Sequence, residues 1–510
     1  MMTDRIRTLF LLLLVVSSGL AQQRRAKRGV CWDEKNQVLS SMPVEDMAPG
    51  VSWLYTWGEA EKSTEYSIYD SDMAFLPMCW NANFDETKLR NYLTARNGKV
   101  KYLLAFNEPN LGTNVGGSAM TPQQAADAWP KVEKIAEDFN LQIVAPALNF
   151  TGDKVGGKVW HPFEWYDEFF RLVPNAKVDY LAFHSYMNYY SAVDWVASRY
   201  FYSDTDTDDE SDLMGATNRK LYPNLVKYMD DYREANGHYP RMFLTEFCSW
   251  ETNSYPYQAG LTRDFQIDQM TQKLQVLEKS DLVAAYAWFM ANPKGGENEF
   301  PYMSLFKSNS STSHLSDLGK VYVHMSSFDA QKFYAPGETI LAKDYIDASK
   351  DNQQIRVRPN SEEGSDITLQ VEWQQSAWAT YQVNVPADGD YVLTMHVNTS
   401  ADNSFRVYRD ATGAANKLLS TTIPSTSGQW KDVDVNITLK AGTYGLLLYN
   451  MGESPILMNR LRLTTSPTAI ASATTDNTAD MVFYNLRGVR NDSPSHGDIV
   501  IAKGKKYLIR

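Results

Sequence analysis

From about Lys27 to about Met325, short apolar runs alternate with longer stretches of helical periodicity. Eight runs have strand character: Gly29–Trp32, Val51–Tyr55, Met73–Met78, Tyr102–Phe106, Gln142–Ala147, Tyr180–Ser185, Met242–Phe247 and Ala284–Met290. Helices are expected between them at Thr121–Phe139, Phe163–Leu172, Tyr222–Asn236 and Arg263–Leu277. The first opens with Thr121-Pro122, an N-cap followed by proline at the first helical position. Eight strand–helix alternations in roughly 300 residues predict an α/β domain of the (β/α)₈ TIM-barrel type. A doubly wound sheet is the alternative. It is disfavoured because Val30-Cys31-Trp32 continues where a glycine-rich phosphate loop would stand.

Near residue 330 the pattern changes. Short alternating runs follow at Ile355–Arg358, Thr380–Val385, Tyr391–Val397, Phe405–Tyr408, Val433–Leu439, Thr443–Tyr449 and Leu457–Leu463. Turn clusters such as Pro386-Ala387-Asp388-Gly389-Asp390 punctuate them, which predicts an antiparallel β-sandwich. The Thr/Ser/Ala-rich stretch Thr464–Thr478 reads as a linker, and Met481–Arg510 as a short C-terminal tail forming a small hairpin. The expected division is a signal peptide at 1–21, a catalytic domain at 27–330, a β-sandwich at 335–465, and linker and tail at 466–510.

The length of 510 residues suits two or three such units. With 43% hydrophobic and 22% charged residues, disorder of the whole chain is excluded. A net charge of −12 offers no footprint for nucleic acid or for anionic membranes, but suits a neutral polymer. The 13 Trp and 30 Tyr serve either a core or a sugar cleft. Arg5 and Arg7, the apolar run Leu9–Val16, and the small residues Ser17, Ser18, Gly19 and Ala21 have the order of a secretory signal. The run is too short to span a bilayer, so secretion without a membrane span is expected. Cys31, Cys79 and Cys248 are too few for a disulfide framework and lack metal-ligand spacing. They read as small barrel residues. Asp204–Asp212 lacks the glycine of a calcium loop and reads as a solvated loop. Nothing demands more than a monomer.

Two acids stand where an apolar run stops: Glu108 after the fourth strand and Glu246 near the end of the seventh. In a barrel that is the rim that carries catalytic groups. Glycoside cleavage needs a proton donor and a second carboxylate that attacks the anomeric carbon or activates water, and no metal or organic cofactor. Other rim candidates for sugar binding are Trp57, Trp80 and Trp288 as stacking platforms, His184 and Tyr186 after the sixth strand, and Asn149 after the fifth.

Asn107-Glu108-Pro109 and Glu246 resemble the paired motifs of clan A glycoside hydrolases. A closer resemblance, to glycoside hydrolase family 128, spans nearly all of residues 28–330. It is carried by Arg28-Gly29-Val30-Cys31-Trp32, Trp53-Leu54-Tyr55-Thr56-Trp57, Pro77-Met78-Cys79-Trp80-Asn81, Asn107-Glu108-Pro109-Asn110, Phe183-His184-Ser185-Tyr186, Thr245-Glu246-Phe247 and Ala287-Trp288-Phe289. The resemblance implies an endo-β-1,3-glucanase acting on β-glucan with retention. Glu108 would be the acid/base, Glu246 the nucleophile, and Asn107 a contact to the sugar 2-hydroxyl. A β-1,4-glucanase or mannanase of the same clan, or a non-catalytic glucan-binding barrel, are the competing readings. Residues 337–465 resemble carbohydrate-binding module family 6 at Ala342-Lys343-Asp344-Tyr345, Trp378–Pro386, Gly389-Asp390-Tyr391 and Lys440–Tyr444. Ser427 and Leu457 stand where that family has ligand residues, which leaves sugar binding and a supporting role both open. Val482–Arg490 and Lys503–Lys506 resemble C-terminal segments of secreted Bacteroidetes proteins, implying export from a bacterium.

Overall fold

The computed structural model describes residues 26–37, 39–62, 68, 72–186, 200–203, 220–223, 241–249, 262–349, 355–466, 471–473, 482–485, 490–491, 495, 498–502 and 505–509. The expected signal segment and the acidic loop Asp204–Asp212 lie outside them.

Each of the eight apolar runs overlaps a strand: β1 Arg28–Cys31, β2 Trp53–Tyr55, β3 Ala74–Phe75, β4 Tyr102–Leu104, β5 Gln142–Val144, β6 Tyr180–Ser185, β7 Arg241–Phe247 and β8 Val283–Trp288. They form one parallel sheet in the order β3-β2-β1-β8-β7-β6-β5-β4, the sequential order of a TIM-like barrel. The end strands share no continuous ladder. They meet at a single bridge, where Cys79 donates to the Leu104 carbonyl (2.9 Å) and Leu104 to that of Pro77 (3.0 Å). Side chains alternate between two apolar layers. Tyr55, Leu104, Val144, Ala182 and Phe243 share one buried cluster. Leu54, Leu103, Ile143, Leu181 and Leu244 lie in the other, with helix residues such as Trp129, Phe169 and Leu274. Burial on both sides explains why the strands read as apolar runs rather than as alternating ones.

The described helices are α1 Glu86–Arg96, α2 Pro122–Phe139, α3 Pro162–Leu172, α4 Arg263–Lys279 and α5 Asp317–His324. Thr121 caps α2 in a reciprocal box with Gln124, whose side chain accepts from the Thr121 N–H (2.8 Å). The helix expected at Tyr222–Asn236 is corrected at its start. Tyr222 and Pro223 end a strand, Lys220–Pro223, antiparallel to Tyr200–Ser203, and residues 224–236 lie outside the described set.

Arg28 closes the base of the sheet. Its side chain is wholly buried, and it donates to the Tyr286 hydroxyl (3.0 Å), the Tyr322 carbonyl (2.6 Å), Glu278 (3.1 Å) and the Ser326 carbonyl (2.9 Å). One guanidinium thereby joins β1, β8, α4 and the turn after α5. Gly29 is required beside it, because a Cβ there would meet the Trp53 ring at 2.2 Å.

After α5 come two antiparallel sheets of sandwich type. The expected runs all lie in strands, and four strands, Thr339–Leu341, Asp347–Ala348, Leu369–Trp373 and Lys417–Ile423, add to them. The sandwich docks on α4 through Arg358, which forks onto the buried Asp268 at 2.7 and 3.2 Å. The linker reading is corrected: Thr464 and Thr465 finish a sandwich strand, and Ala471–Ala473 pairs in parallel with Tyr507–Ile509. The tail supplies four strands of a five-stranded sheet rather than one hairpin, and Ala471–Ala473 supplies the fifth.

Candidate active site

The carboxylates come together because two strand ends depart from regular geometry. On β7 the register slips between Leu244 and Glu246, so that Leu244 faces Phe183 and Glu246 faces His184. The extra residue is Thr245. Such a bulge re-aims side chains, and here both Thr245 and Glu246 turn toward His184. On the other side Glu108 sits beyond β4 in the left-handed region (φ 44°), a costly conformation for a residue with a Cβ. It is held by its N–H on the Ala147 carbonyl (2.8 Å) and by Leu111 and Ser118 donating to its carbonyl (3.0 and 3.2 Å).

Glu108 is 5% exposed and Glu246 3%. One oxygen of each and a nitrogen of His184 lie within 4.8 Å of one another. His184 Nδ1 is 2.7 Å from Glu108 Oε1 and 3.4 Å from Glu246 Oε2, while its Nε2 meets Thr245 Oγ1 at 3.0 Å. Asn149 Nδ2 donates to Glu108 Oε1 at 2.8 Å. Three donors converge on Glu246: the Trp57 indole (2.8 Å) and the Tyr55 hydroxyl (3.0 Å) on Oε1, and the Tyr186 hydroxyl on Oε2.

Burial raises the Glu246 pKa above the ordinary glutamate value and the Glu108 charge adds to this, while His184, Tyr186 and Trp57 pull it down without cancelling it. Burial works against the His184 imidazolium, yet the charges of Glu246 and Glu108 and the bond to Glu108 outweigh it, and the pKa is raised. The His184 midpoint in an NMR pH titration is therefore expected above the usual value of about 6.5. A raised histidine pKa stabilises the fold below the unfolded value and loses that contribution as pH climbs through the folded one. Glu108→Gln and Glu246→Gln each remove a negative charge, so each should lower the midpoint. A midpoint unmoved in both variants would contradict this electrostatic picture.

Of the sequence candidates, Glu108, Glu246, His184, Tyr186, Trp57 and Asn149 form one network. Asn107 lies beside it, its N–H on the Trp80 carbonyl (3.0 Å) and its buried Oδ1 without a partner among the described residues. Trp80 is half-buried against the strand cluster. Trp288 is corrected: it is 0% exposed, donates to the Met303 carbonyl (2.8 Å), and packs on Phe247 and Tyr322, so its ring has no face for a sugar. Trp57 meets Glu246 through its indole N–H in addition to any ring face it presents. Cys31, Cys79 and Cys248 are buried free thiols. Tyr55 and Thr245 were not among the candidates. Tyr55 alternates with Trp53 and Trp57 on one strand face, which was the signal for it; the bulge that turns Thr245 inward left none.

Glu108, His184 and Glu246 each have a donor atom that a metal ion could use. Four N–H and O–H donors already point at the same carboxylate oxygens, which suits a charged carboxylate or an acid more than a cation. In the sandwich, Trp430 lies flat on His396 (5.5 Å, 11°), and Leu457 sits on a strand between Asn398 and Glu372. Among the described residues no helix is long and apolar enough to cross a membrane.

A barrel-ordered parallel sheet thus holds two buried acids, Glu108 beyond β4 and Glu246 near the end of β7, the pair that glycoside cleavage needs. The glycosyl hydrolase catalytic core family matches residues 29–206 and 216–322, and the chain belongs to that family. Among solved structures, the chain is similar to a GH128 (subgroup II) endo-beta-1,3-glucanase from Pseudomonas viridiflava (27% identity, 59% of this chain and 98% of that one, TM-score 0.43). It is also similar to a GH128 (subgroup III) curdlan-specific exo-beta-1,3-glucanase from Blastomyces gilchristii (19%, 59% and 98%, TM-score 0.38). The C-terminal CBM6 of a laminarinase from Zobellia galactanivorans aligns at 24% identity over 25% of this chain and 98% of that one (TM-score 0.22). No curated protein matches the chain by sequence.

Proposed function

We propose that the protein is a secreted, retaining endo-β-1,3-glucanase built on a (β/α)₈ barrel, with Glu246 as nucleophile and Glu108 as acid/base. The observation that carries the mechanism is the closeness of the two acids, with an oxygen of each inside the 4.8 Å set. Retaining enzymes hold their carboxyl groups about 5–5.5 Å apart, whereas inverting ones leave about 6.5–9.5 Å for a water. The linkage, the endo mode and the roles of Asn107 and Trp80 at the sugar rest on the motif resemblance over residues 28–330, and secretion on the leader pattern at 1–21.

In the first half-reaction a Glu246 oxygen attacks the anomeric carbon as the glycosidic C–O bond breaks. The Glu108 proton passes to the leaving oxygen. Trp57, Tyr55 and Tyr186 orient the Glu246 carboxylate and hold its charge until attack. In the second, Glu108 takes a proton from water, the water oxygen attacks the same carbon, and Glu246 departs. Two inversions give net retention.

The test is hydrolysis of soluble β-1,3-glucan, β-1,4-glucan and mannan, following product length and the anomer first formed by NMR. The expected result is β-1,3 cleavage into mixed oligosaccharides that appear first as the β-anomer. The α-anomer would sink the retaining mechanism, preference for another polymer would sink the linkage, and glucose as sole early product would sink the endo mode.

A further inference from the structure

Glu108 is held asymmetrically. Among the described residues, both bonds to its carboxylate fall on Oε1: Asn149 Nδ2 at 2.8 Å and His184 Nδ1 at 2.7 Å. A carboxyl oxygen has two lone-pair sites, and an amide NH₂ can only donate. Asn149 fills one site of Oε1, and His184 fills the other when its proton is on Nδ1, so the acidic proton has its place on the other oxygen. His184 is able to fill its part because Thr245 Oγ1 stands on its far nitrogen (3.0 Å), and a hydroxyl either gives or accepts there. The main chain of Asn149 is held in turn. Asn110, wholly buried, accepts from the Asn149 N–H (3.1 Å) and donates to the Asn149 and Trp160 carbonyls (2.6 and 3.1 Å). The residue two places after the acid therefore fixes the backbone of the residue that clamps the acid.

We propose that Asn149, pinned by Asn110, is a positioning residue that reserves Glu108 Oε1 as a pure acceptor, so that the proton given to the leaving group rides on Oε2. This rests on Glu108 being the acid/base. Glu108 is faced by His184, by Glu246 across the site, and by Tyr186 and Cys31, whose protons the Glu108 charge helps to hold. Asn149 adds a neutral donor to that set. Its loss removes a bond that favours the charged carboxylate, and it frees Oε1 to take the proton in an unproductive place.

The experiment is a pH profile of kcat/KM for wild type, Asn149→Ala and the near-isosteric Asn149→Asp, with thermal melts alongside. It is run on β-1,3-glucan and on a β-1,3-glucosyl oligosaccharide with a dinitrophenyl leaving group. The basic limb reports the general acid. It is expected to move up by about one pH unit in Asn149→Ala, and further in Asn149→Asp, where a second negative charge faces Glu108. Turnover of glucan is expected to fall about tenfold or more, with the activated substrate nearly spared, since its leaving group needs no proton. An unmoved basic limb, or equal losses on both substrates at unchanged Tm, would overturn the proposal. Glu108→Gln serves as the control: should it cleave glucan normally, the acid/base reading itself falls, whereas its collapse beside unaffected Asn149 variants would condemn the positioning role alone.

Discussion

Glu246→Ala is expected to lower kcat on β-1,3-glucan by about 10⁴-fold or more, some 5.5 kcal/mol at about 1.36 kcal/mol per decade. The loss is large because the variant has no group to form the glycosyl–enzyme bond, and the other parts of the site act only around that bond. Azide supplies the sharper readout. The space left by the carboxylate is bounded by Tyr55, Trp57 and Tyr186, three donors suited to an anion. Azide entering there would attack from the nucleophile's side and give the α-glycosyl azide, a product the wild type does not make. Recovery of the β-azide, or activity within a hundredfold of wild type, would remove Glu246 from the nucleophile's role.

The same residue should show an opposite effect on stability. Burial raises the Glu246 pKa, so its ionised form is penalised in the folded state. A carboxyl with a raised folded pKa contributes stability below its unfolded pKa and loses it as pH rises through the folded one. At neutral pH the wild type bears that cost and Glu246→Gln does not. Melting curves should therefore place Glu246→Gln above wild type at neutral pH, with the gap closing on acidification.

The catalytic sheet was legible because its strands are covered on both sides. Runs such as Tyr102–Phe106 and Tyr180–Ser185 have no polar face to interrupt them, so strand count and order follow from the spacing of apolar runs. Helix α1 was not legible in the same way. Only Leu89, Tyr92 and Leu93 are buried in Glu86–Arg96, too thin a stripe to stand out among its Lys, Arg and Asn residues, although Asp85 caps it through the Lys88 N–H (2.9 Å). The two acids were visible as charges at the ends of apolar runs. Their partners were less so. Trp288 reads as a rim residue by position, but it packs outward with Phe247 and Tyr322 because residues one apart on a strand take opposite faces. Thr245 reaches His184 only through a bulge, and a bulge is a property of strand pairing that no single segment declares. Asn110 works through a contact 39 residues away, beyond any local pattern.

Glu108→Gln is expected to divide its substrates by leaving group, which no merely structural lesion would do. Glutamine keeps an oxygen for the donors from Asn149 and His184, so the loop after β5 should stay in place and the melting temperature should change little. What it lacks is a transferable proton. Unactivated glucan has a poor leaving group, and its cleavage should fall by about 10³-fold, within the range that general acid catalysis contributes. A dinitrophenyl glycoside departs without help, so Glu246 should still attack it at near the wild-type rate. The variant also lacks the base of the second half-reaction, so the glycosyl–enzyme should accumulate and appear as a burst of dinitrophenol. Intact-mass spectrometry should find one glycosyl unit bound to the protein, on the peptide that contains Glu246. A uniform loss on both substrates, with no burst and no adduct, would mean that Glu108 serves the fold or the sugar's placement and that the proton comes from elsewhere.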